Sequence, residues 1–177
     1  MDRFYRFMIG VAFTFLLFSI LVRAAHSDGE STFENQKNEY TIDGQLEPKD
    51  VIAIQQLKER GTIKISSIGG DAGLADLILK EVIDKKLNTV CLDLCASAGA
   101  VIFLAGASHF GQQVGADLIF HAPGIDLPDG SRMLAPKAYI DHWKETYVYL
   151  GVDKLMSETQ WDAMWSRAEV VIEIPIK

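Results

Sequence analysis

The sequence predicts an α/β domain, and three observations carry that prediction. Segments with apolar residues at alternate positions are interleaved with segments whose apolar residues recur every three to four positions. Glycine, proline and short polar clusters mark the boundaries between them. A composition of 49% hydrophobic and 23% charged residues over 177 residues suits one domain with a substantial core.

The N-terminal residues stand outside that pattern. Arg3 and Arg6 precede an uncharged apolar run, Phe7 to Val22, of 16 residues, shorter than the ~20 of a comfortable membrane span. Ala24-Ala25 then offers the small residues a signal peptidase needs. Residues 1–25 therefore read as a signal peptide, or as a retained signal-anchor that holds the domain at a membrane. With basic residues ahead of the apolar run, both readings put the remainder outside the cytoplasm, periplasmic or secreted. Residues 26–37 are polar and aperiodic, a linker, which leaves 38–177 as the folded domain.

Within that domain Tyr40 and Ile42 alternate as a strand, and Asp43-Gly44 is expected to turn the chain. Pro48 opens a helix with Val51, Ile54 and Leu57 on one face, closed by Gly61. Ile63 and Ile65 form a strand running into Gly69-Gly70. Asp71 is placed to cap a second helix whose buried face is Leu74, Leu77, Ile78 and Val82. Thr89 to Leu92 is the next strand. Ser97 to Ala105 is apolar all round, as in a helix buried inside a protein. His109-Phe110 and Ala116 to His121 read as short strands, and 123–135 as a Pro/Gly-rich loop. Pro136 opens a helix with Tyr139, Trp143, Tyr147 and Leu150 on one stripe, more core than interface. A helical piece at Glu158–Trp165 and a strand, Val170–Ile174, broken by Pro175, complete the chain.

The formal charge is −7, and residues 1–24, with three arginines and one aspartate, leave −9 on the rest. An acidic chain without a basic stripe excludes nucleic acid as a partner. Cys91 and Cys95 are the only cysteines. In a straight strand, four residues separate their α-carbons by roughly 13 Å, beyond disulfide reach. A bend at Asp93 would be needed to join them, so two buried apolar side chains is the favoured expectation. No second cysteine or histidine pair completes a metal ligand set, and no cofactor motif is present.

Chemistry concentrates at two strand-to-helix junctions. Ser97 opens the run Cys95-Ala96-Ser97-Ala98-Gly99-Ala100, and His121 ends Leu118-Ile119-Phe120-His121. A serine hydroxyl needs a neighbouring base to become a nucleophile. Amides at the start of the helix, Ala98 above all, and a glycine turn at Gly69-Gly70 can receive an oxyanion. Taken singly, each has an ordinary structural explanation: a tight helix crossing, a turn, a buried histidine. Their common placement at junctions points to acyl transfer.

The set Ile65-Ser66-Ser67-Ile68-Gly69-Gly70-Asp71, Cys95-Ala96-Ser97-Ala98-Gly99-Ala100 and Ile119-Phe120-His121-Ala122-Pro123 resembles the ClpP family of serine proteases. Residues 38–174 carry the resemblance, which is closest to small exported members. Ile68 replaces the family's usual proline and Ala98 its methionine. The resemblance implies a crotonase-like spiral of ββα units that assembles as a homo-oligomer. It also implies Ser97 as nucleophile, His121 as base, and Gly69, Gly70 and Ala98 as oxyanion donors. Asp162, in Asp162-Ala163-Met164-Trp165-Ser166, matches the triad aspartate, with Asp141 and Asp153 as alternatives. The expected activity is hydrolysis of small or unfolded polypeptides without an ATPase, a metal or a cofactor. Three other readings stand beside it: a non-catalytic binding or assembly module of the same fold, a thioester enzyme using the glycine-turn amides, and a Ser–Lys peptidase using Lys137 or Lys144.

Overall fold

A computed structural model describes residues 37–111 and 116–176. The expected signal segment and residues 26–36 of the linker lie outside them. The architecture is mixed α/β with a mostly parallel sheet. In chain order the elements are β1 (Lys37–Leu46), α1 (Pro48–Gln55), β2 (Leu57–Gly70), α2 (Ala72–Asp84), β3 (Asn88–Ala96) and α3 (Ala98–Leu104). Then come β4 (His109–Gly111), β5 (Asp117–Phe120), β6 (Gly124–Asp126), β7 (Arg132–Leu134), α4 (Lys137–Tyr149), α5 (Glu158–Ser166) and β8 (Ile172–Pro175).

The main sheet has the order β1-β2-β3-β5-β8, with β4 also paired to β3. All its pairs are parallel except β5 with β8. Neighbours in the sheet follow chain order, so the strand sequence never reverses. The sheet therefore lacks the switch-point crevice of doubly wound folds. The fully buried side chains of its core include the aliphatic Ile42, Ile63, Ile65, Ile78, Val82, Val101 and Ile102. Each such side chain contributes roughly 1.5–3 kcal/mol of burial. Residues 61–70 alternate between buried and more accessible positions, the period-2 pattern the sequence shows.

Several boundaries differ from expectation, each for a local reason. Gly44 does not turn the chain; β1 continues to Leu46 with a register shift after Gly44, whose φ is 79°. Leu57 and Gly61 belong to β2, not to a helix face and its stop. A Cβ on Gly61 would meet the Asn38 carbonyl oxygen at 3.0 Å, so the glycine is there for the approach of β1. The loop 123–135 contains a hairpin, β6 with β7, closed across Leu127–Ser131. Pro175 lies within β8, opposite Asp117, and does not break it. Trp143 and Tyr147 are core, as the stripe suggested, while Tyr139 is 37% exposed.

Asp71 caps α2 as expected, its carboxylate accepting from the Leu74 amide at 3.0 Å. Asp50, by contrast, is a buried carboxylate the periodicity did not flag. It accepts from Tyr40 Oη at 2.7 Å and from the Glu47 amide at 2.7 Å. Burial, reinforced by that hydrogen bond, pushes the Tyr40 hydroxyl up to about 12.

The largest correction concerns the cysteines. Cys91 and Cys95 form a disulfide, with α-carbons 6.0 Å apart. The 13 Å expectation assumed a straight strand, and β3 is not straight. Cys91 lies opposite Ile65 and Cys95 opposite Ser67, so three residues of β3 face Ser66 alone. That bulge of two extra residues halves the separation.

Candidate functional site

Ser97 joins β3 to α3 and belongs to neither. Its backbone has φ 54° and ψ −122°, a conformation L-residues seldom adopt. Such a residue costs on the order of 1–3 kcal/mol and persists only where its surroundings fix it. Here the surroundings are identifiable. The Ser97 amide donates to the Ile119 carbonyl at 2.7 Å, and the Ser97 carbonyl accepts from Ala100 and Val101 at 3.1 and 3.3 Å.

Most serines ahead of a helix cap it through the hydroxyl. Ser97 makes no side-chain cap bond. It is half-buried between buried Ala96 and Ala98. The turn from strand to helix is sharp, a geometry at which a side chain can be held out for chemistry.

The glycine pair lies directly beside it. A Cβ on Gly69 would fall 2.6 Å from Ser97 Cβ and 3.0 Å from its Oγ, and φ at Gly69 is 93°. Only glycine fits that position. Gly99 likewise admits Ser67, whose Cβ would be 3.1 Å from an added methyl. Ser67 is 1% exposed. Its hydroxyl donates to the Gly44 carbonyl at 2.6 Å and accepts from the Gly69 amide at 3.1 Å. The Gly69 amide is thereby engaged, while Gly70 is exposed at the end of β2.

His121 stands at the end of the neighbouring strand. Ala96 is opposite Ile119 in the β3/β5 register, so Ser97 and His121 leave adjacent parallel strands at the same edge. Nδ1 of His121 bonds the Ala122 carbonyl at 2.8 Å, and its own carbonyl accepts from Tyr147 Oη at 3.1 Å. Burial holds the imidazole below its ordinary pKa; Arg132 lowers it further, against the Ala122 hydrogen bond and Asp126. Arg132 comes from β7, its Nε 3.7 Å from Asp126 Oδ1 and without a hydrogen bond.

Among the described residues no hydrogen bond joins His121 to Ser97 or to Asp162. Asp162 is exposed on α5, and the Nδ1 position an aspartate would occupy is taken by the Ala122 carbonyl. Asp141 pairs with Lys137 at 2.7 Å, which places both in a surface ion pair. Lys144 lies 5.9 Å over the Trp161 and Trp165 rings.

A separate groove runs between α2 and α4, lined by Asp76, Leu79, Ile83, His142 and Tyr149. It holds a His142–Asp76 pair at 3.2 Å and no cysteine or serine. Among the described residues no cluster of histidine, cysteine and carboxylates is arranged to hold a metal.

Sequence reasoning missed Ser67 and the disulfide. Burial of a serine one residue before Ile68-Gly69 was hinted by the period-2 pattern. The bulge had no signal beyond the Cys-x-x-x-Cys spacing itself. The chain matches no family model, and no curated protein matches it either.

Proposed function

We propose that this protein is a serine hydrolase acting on polypeptides, with Ser97 as nucleophile and His121 as base. The observation that carries the reading is the strained, uncapped Ser97 at a strand-to-helix turn, packed against a glycine that admits no side chain. Residues held in sparsely populated backbone regions cluster at functional sites.

In this scheme the Ser97 hydroxyl attacks a peptide carbonyl and His121 accepts its proton. The amides of Ala98 and Gly70 receive the oxyanion, each donor worth about 3–4 kcal/mol of barrier. Gly69 supplies the turn and the space, its own amide being tied to Ser67. The protonated imidazole then serves the leaving amine, and water repeats the cycle on the acyl-enzyme. The Ala122 carbonyl orients the ring in the role expected of Asp162. Catalytic hydrogen bonds commonly tighten only with substrate bound, so closure of His121 onto Ser97 belongs to the complex.

A polypeptide substrate suits the rim of the site. Ile68, next to the glycine pair, is 63% exposed, and Ile125 and Met133 face solvent opposite each other on the hairpin that follows His121. The unreversed parallel strand order supports the crotonase-like spiral, and the disulfide supports an oxidising, extracytoplasmic location. The second reading, a non-catalytic binding module of the same fold, draws on the unbonded Ser97–His121 pair and the exposed Asp162. Incubation with a denatured polypeptide separates the two. The hydrolase releases fragments and Ser97→Ala does not; equal fragment release, or none from either folded protein, contradicts the proposal.

A further inference from the structure

We propose that the Cys91–Cys95 disulfide is a positioning device for Ser97, so that reducing it disables the site while the rest of the domain stays folded. This rests on the hydrolase reading only for its activity readout. The structural argument is one of register.

Upstream of the bulge, Thr89–Cys91 of β3 pair with β4; downstream, Leu94–Ala96 pair with β5. The bulge is thus where β3 changes partners on one edge, and on the other residues 92–94 stand across from Ser66 without a register partner. A strand interrupted on both sides has little of its own to fix its path. Two links close the gap. Asp93 accepts from the Leu94 amide at 2.7 Å, and the Ser66 side chain beside it helps hold its carboxyl below the usual range. The disulfide closes the loop covalently, with Cys95 Sγ seated 3.7 Å from the Ile65 carbonyl.

Cys95 is two residues before Ser97. Its position fixes how far along the sheet Ala96 reaches, hence whether the Ser97 amide meets Ile119 and its Cβ meets Gly69. Both cysteines are fully buried. A dithiol would reach the bond by local opening of the bulge and reduce it with two electrons and two protons. Two thiols would remain in the protein and the reagent would become a cyclic disulfide. Without the bond the two extra residues can redistribute along β3, and the strained turn loses the support that holds it.

Two preparations test this: Cys91→Ala/Cys95→Ala, and the wild type reduced by dithiothreitol with its thiols counted by alkylation. Amide exchange is followed at 92–98 and at the fully buried Ile78 and Val82 of α2, together with the rate at which a fluorophosphonate labels Ser97. In both preparations exchange at 92–98 should rise while Ile78 and Val82 stay protected. Labelling should fall by about tenfold or more and return when the reduced protein is reoxidised. Unchanged exchange at 92–98, global unfolding of both preparations, or free thiols in the native protein would each overturn the proposal. If the oxidised protein never labels but exchange opens as stated, the positioning role stands and the hydrolase reading is what fails.

Discussion

The two halves of the candidate site are held in very different ways. Ser97 is over-determined: a disulfide-closed bulge behind it, Gly69 against its side chain, Ser67 anchoring that glycine, and Ile119 receiving its amide. His121 is held by two contacts, its Nδ1 on the carbonyl of the next residue and Tyr147 on its own carbonyl. The contrast teaches where the fold spends its constraint. The Ser97 conformation is unfavourable by itself and must be imposed, whereas an imidazole acting as proposed has to be free to move between the serine oxygen and the leaving group.

Substitutions that break the rigid half should be the most damaging. Gly69→Ala introduces a Cβ against Ser97 at a φ of 93°. It should destabilise the domain by ~2–4 kcal/mol and abolish labelling of Ser97, as thermal unfolding and probe incorporation would show. His121→Gln should leave the melting temperature nearly unchanged but slow labelling by roughly 10²–10⁴-fold. A loss of fold instead would make His121 a structural residue.

Ser67→Ala orphans the Gly44 carbonyl and the Gly69 amide and should cost ~1–3 kcal/mol in a denaturant titration. Because burial depresses the His121 pKa, the folded state resists protonation more than the unfolded chain. Its contribution to stability is therefore complete above the unfolded value near 6.5 and is lost as pH falls towards and through the depressed folded value. Labelling should follow the same neutral imidazole, with its decline centred at the depressed pKa, below 6.5. A decline centred at or above 6.5 would mean the ring is not in the buried environment described. Asp162→Asn should be the mildest change, within ~0.5 kcal/mol of stability and without effect on labelling. A fall of about 10⁴-fold would restore it as the orienting residue.

The same contrast explains what the sequence made legible. Ser97, Gly69 and the end of β5 were visible because small residues and alternating apolar positions are local signals. The helix start after Ser97 was placed within one residue and Asp71 as a cap was read directly, while the strand before Ser97 runs four residues past the expected end at Leu92. The bulge was invisible because it depends on how β3 pairs with three other strands, each separated from it by a helix or a loop. Straight-strand arithmetic for Cys91 and Cys95 failed for that reason. Asp162 was chosen by likeness of a short segment, and its exposure on α5 depends on how that helix packs through Trp165 against Tyr147. The hairpin at 123–135 was hidden by its brevity, three residues a side around Pro128 and Gly130.

The central claim is that Ser97 is an activated nucleophile. Incubation of the folded, oxidised protein with a fluorophosphonate, followed by peptide mapping, tests it most directly. The adduct should lie on Ser97, form faster than on any other serine, and be absent from Ser97→Ala. No adduct at Ser97 in a protein with an intact disulfide and native amide protection, or equal modification of wild type and Ser97→Ala, would contradict it.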